Sequence, residues 1–249
     1  MNNFIDFTDK TFLVTGVTSG IGYEICNQIS LYGGKCIGVA RDVEKLNSMT
    51  IEFQGFTGIS YDLSNLENLD QLIDKIDIHL DGIVHSAGIV QLQPIKFLNI
   101  DLLNKIRTVN YDSIVMIISK LLKKKKINKN SSIVFISSIA AEMGMKGNFI
   151  YSSTKAALNS TAKVFASELS SQNIRVNTIA PGQVESALTD EIAATVSEEA
   201  ILSDRQKYPL GYGKPDDVAN LSVFLLSDKS RWITATTITI DGGRSNILN

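Results

Sequence analysis

Cysteine is scarce in this chain: its 249 residues include two, Cys26 and Cys36. With no second pair, neither a disulfide framework nor a Cys-rich zinc site can be built, no metal site is expected, and the usage fits a reducing compartment. An excess of positive charge is missing too. Lys and Arg total 24 against 26 for Asp and Glu, a net charge of -2, so there is no domain-wide positive field to attract nucleic acid or an acidic membrane. No apolar run approaches the ~20 residues that cross a bilayer. Asp6 and Asp9 interrupt the stretch that a signal peptide would keep apolar. A cytoplasmic protein is expected. Internal repeats, low-complexity tracts and long Gly/Pro/Ser linkers are also absent. With 44% hydrophobic residues, the chain can bury a full core as one domain over 1–249.

What is present is a rhythm. Short runs rich in β-branched residues recur at 11–15, 35–39, 56–60, 82–85, 132–136, 175–179 and 236–240. Helical spacing fills the intervals 21–32, 43–49, 66–76, 101–125, 151–170 and 215–226. Strands such as Ile133-Val134-Phe135-Ile136 are apolar on both faces, which suits burial between two helical layers. The pattern predicts an α/β fold of Rossmann type: a doubly wound, seven-stranded parallel sheet with helices on both faces, three layers α/β/α. The segment 183–212 breaks the rhythm after the sixth strand and is read as a substrate lid.

Two motifs carry chemistry. The first strand runs into Thr15-Gly16-Val17-Thr18-Ser19-Gly20-Ile21-Gly22 and then a helix. Glycines there let the backbone approach a pyrophosphate, and free N–H groups at the helix start hold its charge. Farther on, Tyr151 and Lys155 stand four apart on a helix and share a face. A nearby ammonium favours phenolate. Lowering a phenol from ~10 to ~7 takes about 4 kcal/mol, which one desolvated cation with an oxidised nicotinamide can supply. Ser138, thirteen residues before the tyrosine, falls at the C-terminal edge of the sheet, where its hydroxyl can donate to an oxyanion.

The T-G-x-x-x-G-I-G turn, Ser138, Tyr151-x-x-x-Lys155, Asn110 after Val109, Pro181-Gly182 and Asp241-Gly242-Gly243 together resemble the short-chain dehydrogenases/reductases, from about residue 10 to 244. The resemblance implies that Tyr151 is the general acid or base at the carbonyl oxygen and that Ser138 holds this oxygen. It implies further that Lys155 binds the nicotinamide ribose and that Asn110 anchors a relay water. Gly16, Thr18, Ser19, Gly20, Ile21 and Gly22 would form the phosphate turn, and Asp62 beside Leu63 would meet the adenine. Ala87, Gly88, Pro181, Gly182, Val184 and Ser186 would complete the cofactor site. The family's Asn-Asn-Ala-Gly is His85-Ser86-Ala87-Gly88 here, and Ala235 replaces a usual Gly, a change read as a packing variation.

At the end of the second strand an acid would select NAD, whereas a cation pairs with a 2'-phosphate. Ala40 stands in place of the acid and Arg41 follows, so NADP(H) is expected, with NAD(H) open because Asp42 is adjacent. The tail 208–228 resembles the 3-oxoacyl-[acyl-carrier-protein] reductase branch. A sugar, polyol or steroid dehydrogenase is the alternative, and a non-catalytic nucleotide-binding scaffold the minor one. The run Lys123 to Lys126 is either a solvated helix end or a docking point for an acidic acyl carrier protein. Apolar residues on more than one face of 101–125, and Ala156, Ala157, Ala162 and Ala166 on the next helix, predict a homotetramer, with a homodimer as the alternative.

Overall fold

The computed structural model describes residues 4–185 and 198–246. In chain order the elements are β1 (Thr11–Thr15), α1 (Gly20–Leu31), β2 (Lys35–Ala40), α2 (Val43–Glu52), β3 (Phe56–Ser60), α3 (Leu69–Asp74) and β4 (Leu80–His85). There follow α4 (Ile100–Arg107), α5 (Ser113–Lys123), β5 (Ile127–Ile136), α6 (Phe149–Glu168), β6 (Arg175–Pro181), α7 (Glu198–Arg205), α8 (Pro215–Leu226) and β7 (Thr237–Ile240). The strands form one parallel sheet in the order β3-β2-β1-β4-β5-β6-β7.

The order reverses direction between β1 and β4, whose ends pair as Thr15 with His85. Such a switch point is where a doubly wound sheet opens a crevice for ligands. Both sheet faces are apolar because both are covered. Ile25 and Ile29 of α1, Leu46 and Met49 of α2 and Val218 and Val223 of α8 bury against one face. Leu69 and Leu72 of α3, Ile114 and Ile117 of α5 and Leu158 and Ala162 of α6 bury against the other. The expected three-layer fold is therefore observed.

Three of the departures from the expected boundaries have clear physical causes. Helix 101–125 is broken by a π-helical turn at Thr108–Asp112, where the Ser113 hydroxyl donates to the Val109 carbonyl (2.9 Å) and Asn110 turns its amide inward. Strand β5 begins five residues early because Leu80 pairs with Ile127 before a register irregularity. Helix α3 starts late: Asp62 Oδ1 accepts from Ser64 N (2.9 Å), and Asn65 Oδ1 from Asn68 N (3.3 Å), so side chains bind the backbone in turns that compete with the helix. Ala235 lies at φ +59, in the left-handed region. It is therefore a strained position, not a packing variation.

Candidate active site

Two cavities meet at the C-terminal edge of the sheet. The larger, about 640 Å³, runs along the β1–α1 turn to the ends of β2 and β3. The smaller, about 250 Å³, lies over the ends of β5 and β6 and contains Ser138, Tyr151 and Lys155. Ile21, Ser86, Gly88 and Val90 line both, so the two are continuous.

The turn after β1 is built for close approach. Gly16 has φ +74, and a Cβ on it would lie 2.7 Å from the Ala87 backbone. A Cβ on Gly22 would lie 2.2 Å from the Gly16 carbonyl oxygen. Gly22 thus serves the packing of helix on turn, whereas Gly16, Thr18, Ser19, Gly20 and Ile21 line the larger cavity itself. Ser19 precedes α1 without a side-chain capping bond, and the first turn of the helix carries no acid. The helix start therefore offers uncompensated N–H groups to an anion.

At the far end of this cavity stand Arg41, Asp62 and Leu63, with Ala87 and Gly88 along its wall. Asp42, the competing candidate, is committed elsewhere: its Oδ1 accepts from Lys45 N at 3.0 Å and caps α2. The Asp62 carboxyl is held below the usual range, chiefly by the Ser64 backbone N–H, with Arg41 and Lys105 adding positive charge. Sequence reasoning missed Lys105 and Tyr61 on this wall, and no motif marks either of them.

Ser138 lies just past β5, where its Oγ accepts from Ala140 N at 3.1 Å and starts a short 3-10 turn. Burial dominates at Tyr151 and leaves the phenol above its ordinary value, while the neighbouring Ser138 hydroxyl acts in the opposite direction. The Lys155 ammonium lies 5.4 Å from the centre of the Tyr151 ring and donates to the Ile136 carbonyl at 2.8 Å. Burial lowers this lysine to about 8. Lys155 by itself therefore does not lower the Tyr151 phenol, and the lowering expected from the sequence calls on an oxidised nicotinamide as well.

Asn110 is fully buried behind the cavities. Its Oδ1 accepts from Ile89 N (2.8 Å), and its Nδ2 donates to Ile89 O (3.0 Å) and Thr154 Oγ1 (3.2 Å). Its own carbonyl meets His85 Nε2 at 3.1 Å. Pro181, Gly182 and Val184 line the smaller cavity, whereas Ser186 lies outside the described residues, as do 186–197 of the expected lid. The same cavity contains Asn148, Tyr208 and Arg244, which sequence reasoning missed. The available signals were the position of Asn148 one helical turn before Tyr151, that of Arg244 directly after Asp241-Gly242-Gly243, and that of Tyr208 at the head of the 208–228 stretch. No group of three or more metal-ligating side chains occurs among the described residues.

A parallel sheet whose switch point opens onto a long glycine-walled crevice defines a nucleotide-binding α/β protein. Comparison with known proteins narrows this. A family model described as enoyl-(acyl carrier protein) reductase matches residues 16–245. The chain is 34% identical to the 3-oxoacyl-[acyl-carrier-protein] reductase of Rickettsia felis over 96% of this chain and 98% of that protein. It is 33% identical to the L-xylulose reductase of Caenorhabditis elegans over 97% and 98%. A solved short-chain dehydrogenase/reductase from Brucella melitensis, described as a glucose/ribitol dehydrogenase, superposes with a TM-score of 0.90 at 26% identity, covering 98% of this chain and 99% of that one. The chain belongs to the short-chain dehydrogenase/reductase family. It is an NAD(P)-dependent oxidoreductase acting on CH–OH/C=O groups.

Proposed function

We propose that the protein is an NADP(H)-dependent carbonyl reductase with Ser138, Tyr151 and Lys155 as its catalytic residues. The observation that carries this reading is the placement of these side chains in a cavity continuous with the larger, glycine-walled one. The residues present fit a dinucleotide: the free start of α1 suits a pyrophosphate, and Asp62 and Leu63 suit the adenine end. Arg41 would pair with a 2'-phosphate, since Asp42 is occupied as a helix cap. NAD(H) remains the alternative. When bound, the nicotinamide supplies the hydride.

The chain's own residues do the rest. Ser138 donates to the substrate oxygen and holds it beside the phenol. Tyr151 delivers its proton to that oxygen, and the burial that keeps the phenol protonated suits it to act as the acid in reduction. Lys155, fixed by the Ile136 carbonyl, would hold the ribose hydroxyls of the cofactor and adds positive charge beside the ionising phenol. Asn110 holds the backbone at Ile89 with its side chain. Its carbonyl has a second lone pair with which to anchor a relay water.

The first substrate reading is a 3-oxoacyl thioester, as in the Rickettsia felis relative. The alternative, a sugar or polyol, is favoured by the polar residues Asn148 and Arg244 in the smaller cavity and by the L-xylulose reductase relative. Docking of an acyl carrier at the lysine run has limited support. Lys120 and Lys124 pair with Asp70 and Asp74 of α3, and Lys126 donates to the Ile76 carbonyl, leaving the exposed Lys123 and Lys125 to a partner. Assembly into a tetramer or dimer is supported by Met116 on α5 and Val164 on α6, both exposed and apolar. A cytoplasmic location accords with the absence, among the described residues, of a helix long and apolar enough to cross a membrane. NADPH oxidation by the purified protein with acetoacetyl thioesters, keto-sugars and steroids tests the function, and no oxidation with any of them would overturn it.

A further inference from the structure

The wall of the smaller cavity is largely apolar around Ile139, Met143 and Val184, and into it is set the amide of Asn148, a residue only 6% exposed. That amide is unsatisfied. Its Oδ1 has no hydrogen-bond partner, and its Nδ2 has only Met145 Sδ, at 4.0 Å, among the described residues. The other buried side-chain oxygens without partners among the described residues belong to Gln28, Ser131 and Asn159, and none of these residues lines this cavity. Nor does helix capping explain Asn148. It occupies the N-cap position of α6, where an Asn ordinarily accepts from the first free amides, yet its side chain makes no such bond. Keeping an unpaired amide in a buried wall is costly, so its retention calls for a partner that arrives with a ligand.

Asn148 precedes Tyr151 by one helical turn, and both line the same cavity. A ligand carbonyl held by Ser138 and Tyr151 therefore brings its neighbouring carbon toward the amide. We propose that Asn148 is a specificity-determining residue that hydrogen-bonds a hydroxyl close to the reacting carbonyl, so that the substrate is a hydroxylated ketone or the matching polyol. A hydroxyl both donates and accepts, and satisfies the amide in either orientation. An unsubstituted acyl chain at that position offers neither. The inference rests on the carbonyl-reductase reading and selects among its substrates.

The test compares matched ketones with the full-length protein and NADPH: 3-hydroxy-2-butanone against 2-butanone, ribulose against 2-pentanone, and an acetoacetyl thioester. The expected kcat/KM is at least about 10-fold higher for the hydroxylated member of each pair, because a site built to bond a hydroxyl discriminates against its absence. In Asn148→Leu, which keeps the branched shape and removes the polar atoms, the ratio falls to within about twofold. The ligand-free Tm of that variant rises by about 2–4 °C as the unpaired amide is removed. A purely structural asparagine would instead give a lower Tm and an unchanged ratio. Equal efficiencies in the wild type, an unchanged ratio in the variant, or turnover confined to the thioester each overturns the inference and leaves the carbonyl-reductase reading standing. No turnover of any ketone or thioester overturns both.

Discussion

His85 Nε2 lies 3.1 Å from the carbonyl oxygen of Asn110, and His85 Nδ1 lies 2.8 Å from the Thr15 hydroxyl. The tautomer follows from donor and acceptor balance. The Asn110 carbonyl can only accept, so Nε2 carries the hydrogen; Nδ1 is then the acceptor and takes the Thr15 hydroxyl proton, while Thr15 Oγ1 accepts from Ala87 N at 3.3 Å. The ring ties the cofactor turn to the π-helical turn at its most buried point. Burial, with the charge of Lys155 adding to it, lowers its pKa to about 3, so it stays neutral at physiological pH. A proton-transfer role is thereby disfavoured.

The linkage has a definite sign. Between about pH 6.5 and 3 the unfolded chain protonates this histidine and the folded protein does not. Stability is therefore whole above the upper value and is lost as pH falls, at up to about 1.4 kcal/mol per pH unit. Chemical denaturation across that window should show a steeper acid loss for the wild type than for His85→Asn, by about that slope. Parallel curves would contradict the buried neutral ring. His85→Leu, which strands both the Thr15 hydroxyl and the Asn110 carbonyl, should cost about 2–4 kcal/mol.

Arg41 and Asp42 divide the labour at the end of β2, one facing the cavity and the other capping a helix. Arg41→Ala is expected to raise the KM for NADPH by about tenfold or more and to leave that for NADH within about twofold. Steady-state kinetics with both cofactors measures this. An unchanged NADPH value would return the preference to NAD(H).

Ala235 gives a prediction about stability alone. Its φ of +59 is a conformation that glycine adopts without penalty. Ala235→Gly should stabilise the protein by up to about 1 kcal/mol, raising Tm by about 2–4 °C. A fall in Tm would show that the methyl group's packing outweighs the strain.

Cys26 and Cys36 are both buried, with their sulfurs 3.1 Å apart, and burial raises the Cys26 thiol well above its ordinary pKa. Burial shields both sulfurs from reagents in solution. A thiol reagent should label about none of the two in the native protein and both after denaturation. Fast native labelling would contradict the packing of α1 on β2.

The sheet was legible in the sequence because runs such as Ile133-Val134-Phe135-Ile136 admit only burial from both sides. The Ser138, Tyr151 and Lys155 positions were legible because their spacing survives any detail of packing. Three things were not. The π-helical turn at Asn110 is tied to Ile89, 21 residues away in the chain, and no local pattern encodes it. The strain at Ala235 is a backbone dihedral that an alanine conceals. The unsatisfied amide of Asn148 is defined by what surrounds it in space, which periodicity cannot report.

Delivery of the Tyr151 proton to a substrate carbonyl held by Ser138 is open to one decisive substitution, Tyr151→Phe, which keeps the ring and removes the hydroxyl. With NADPH oxidation followed on the best ketone of the panel and NADPH binding followed by fluorescence, kcat is expected to fall by at least about 100-fold while cofactor affinity stays within about twofold. Near-normal turnover in that variant would show that the proton comes from another group.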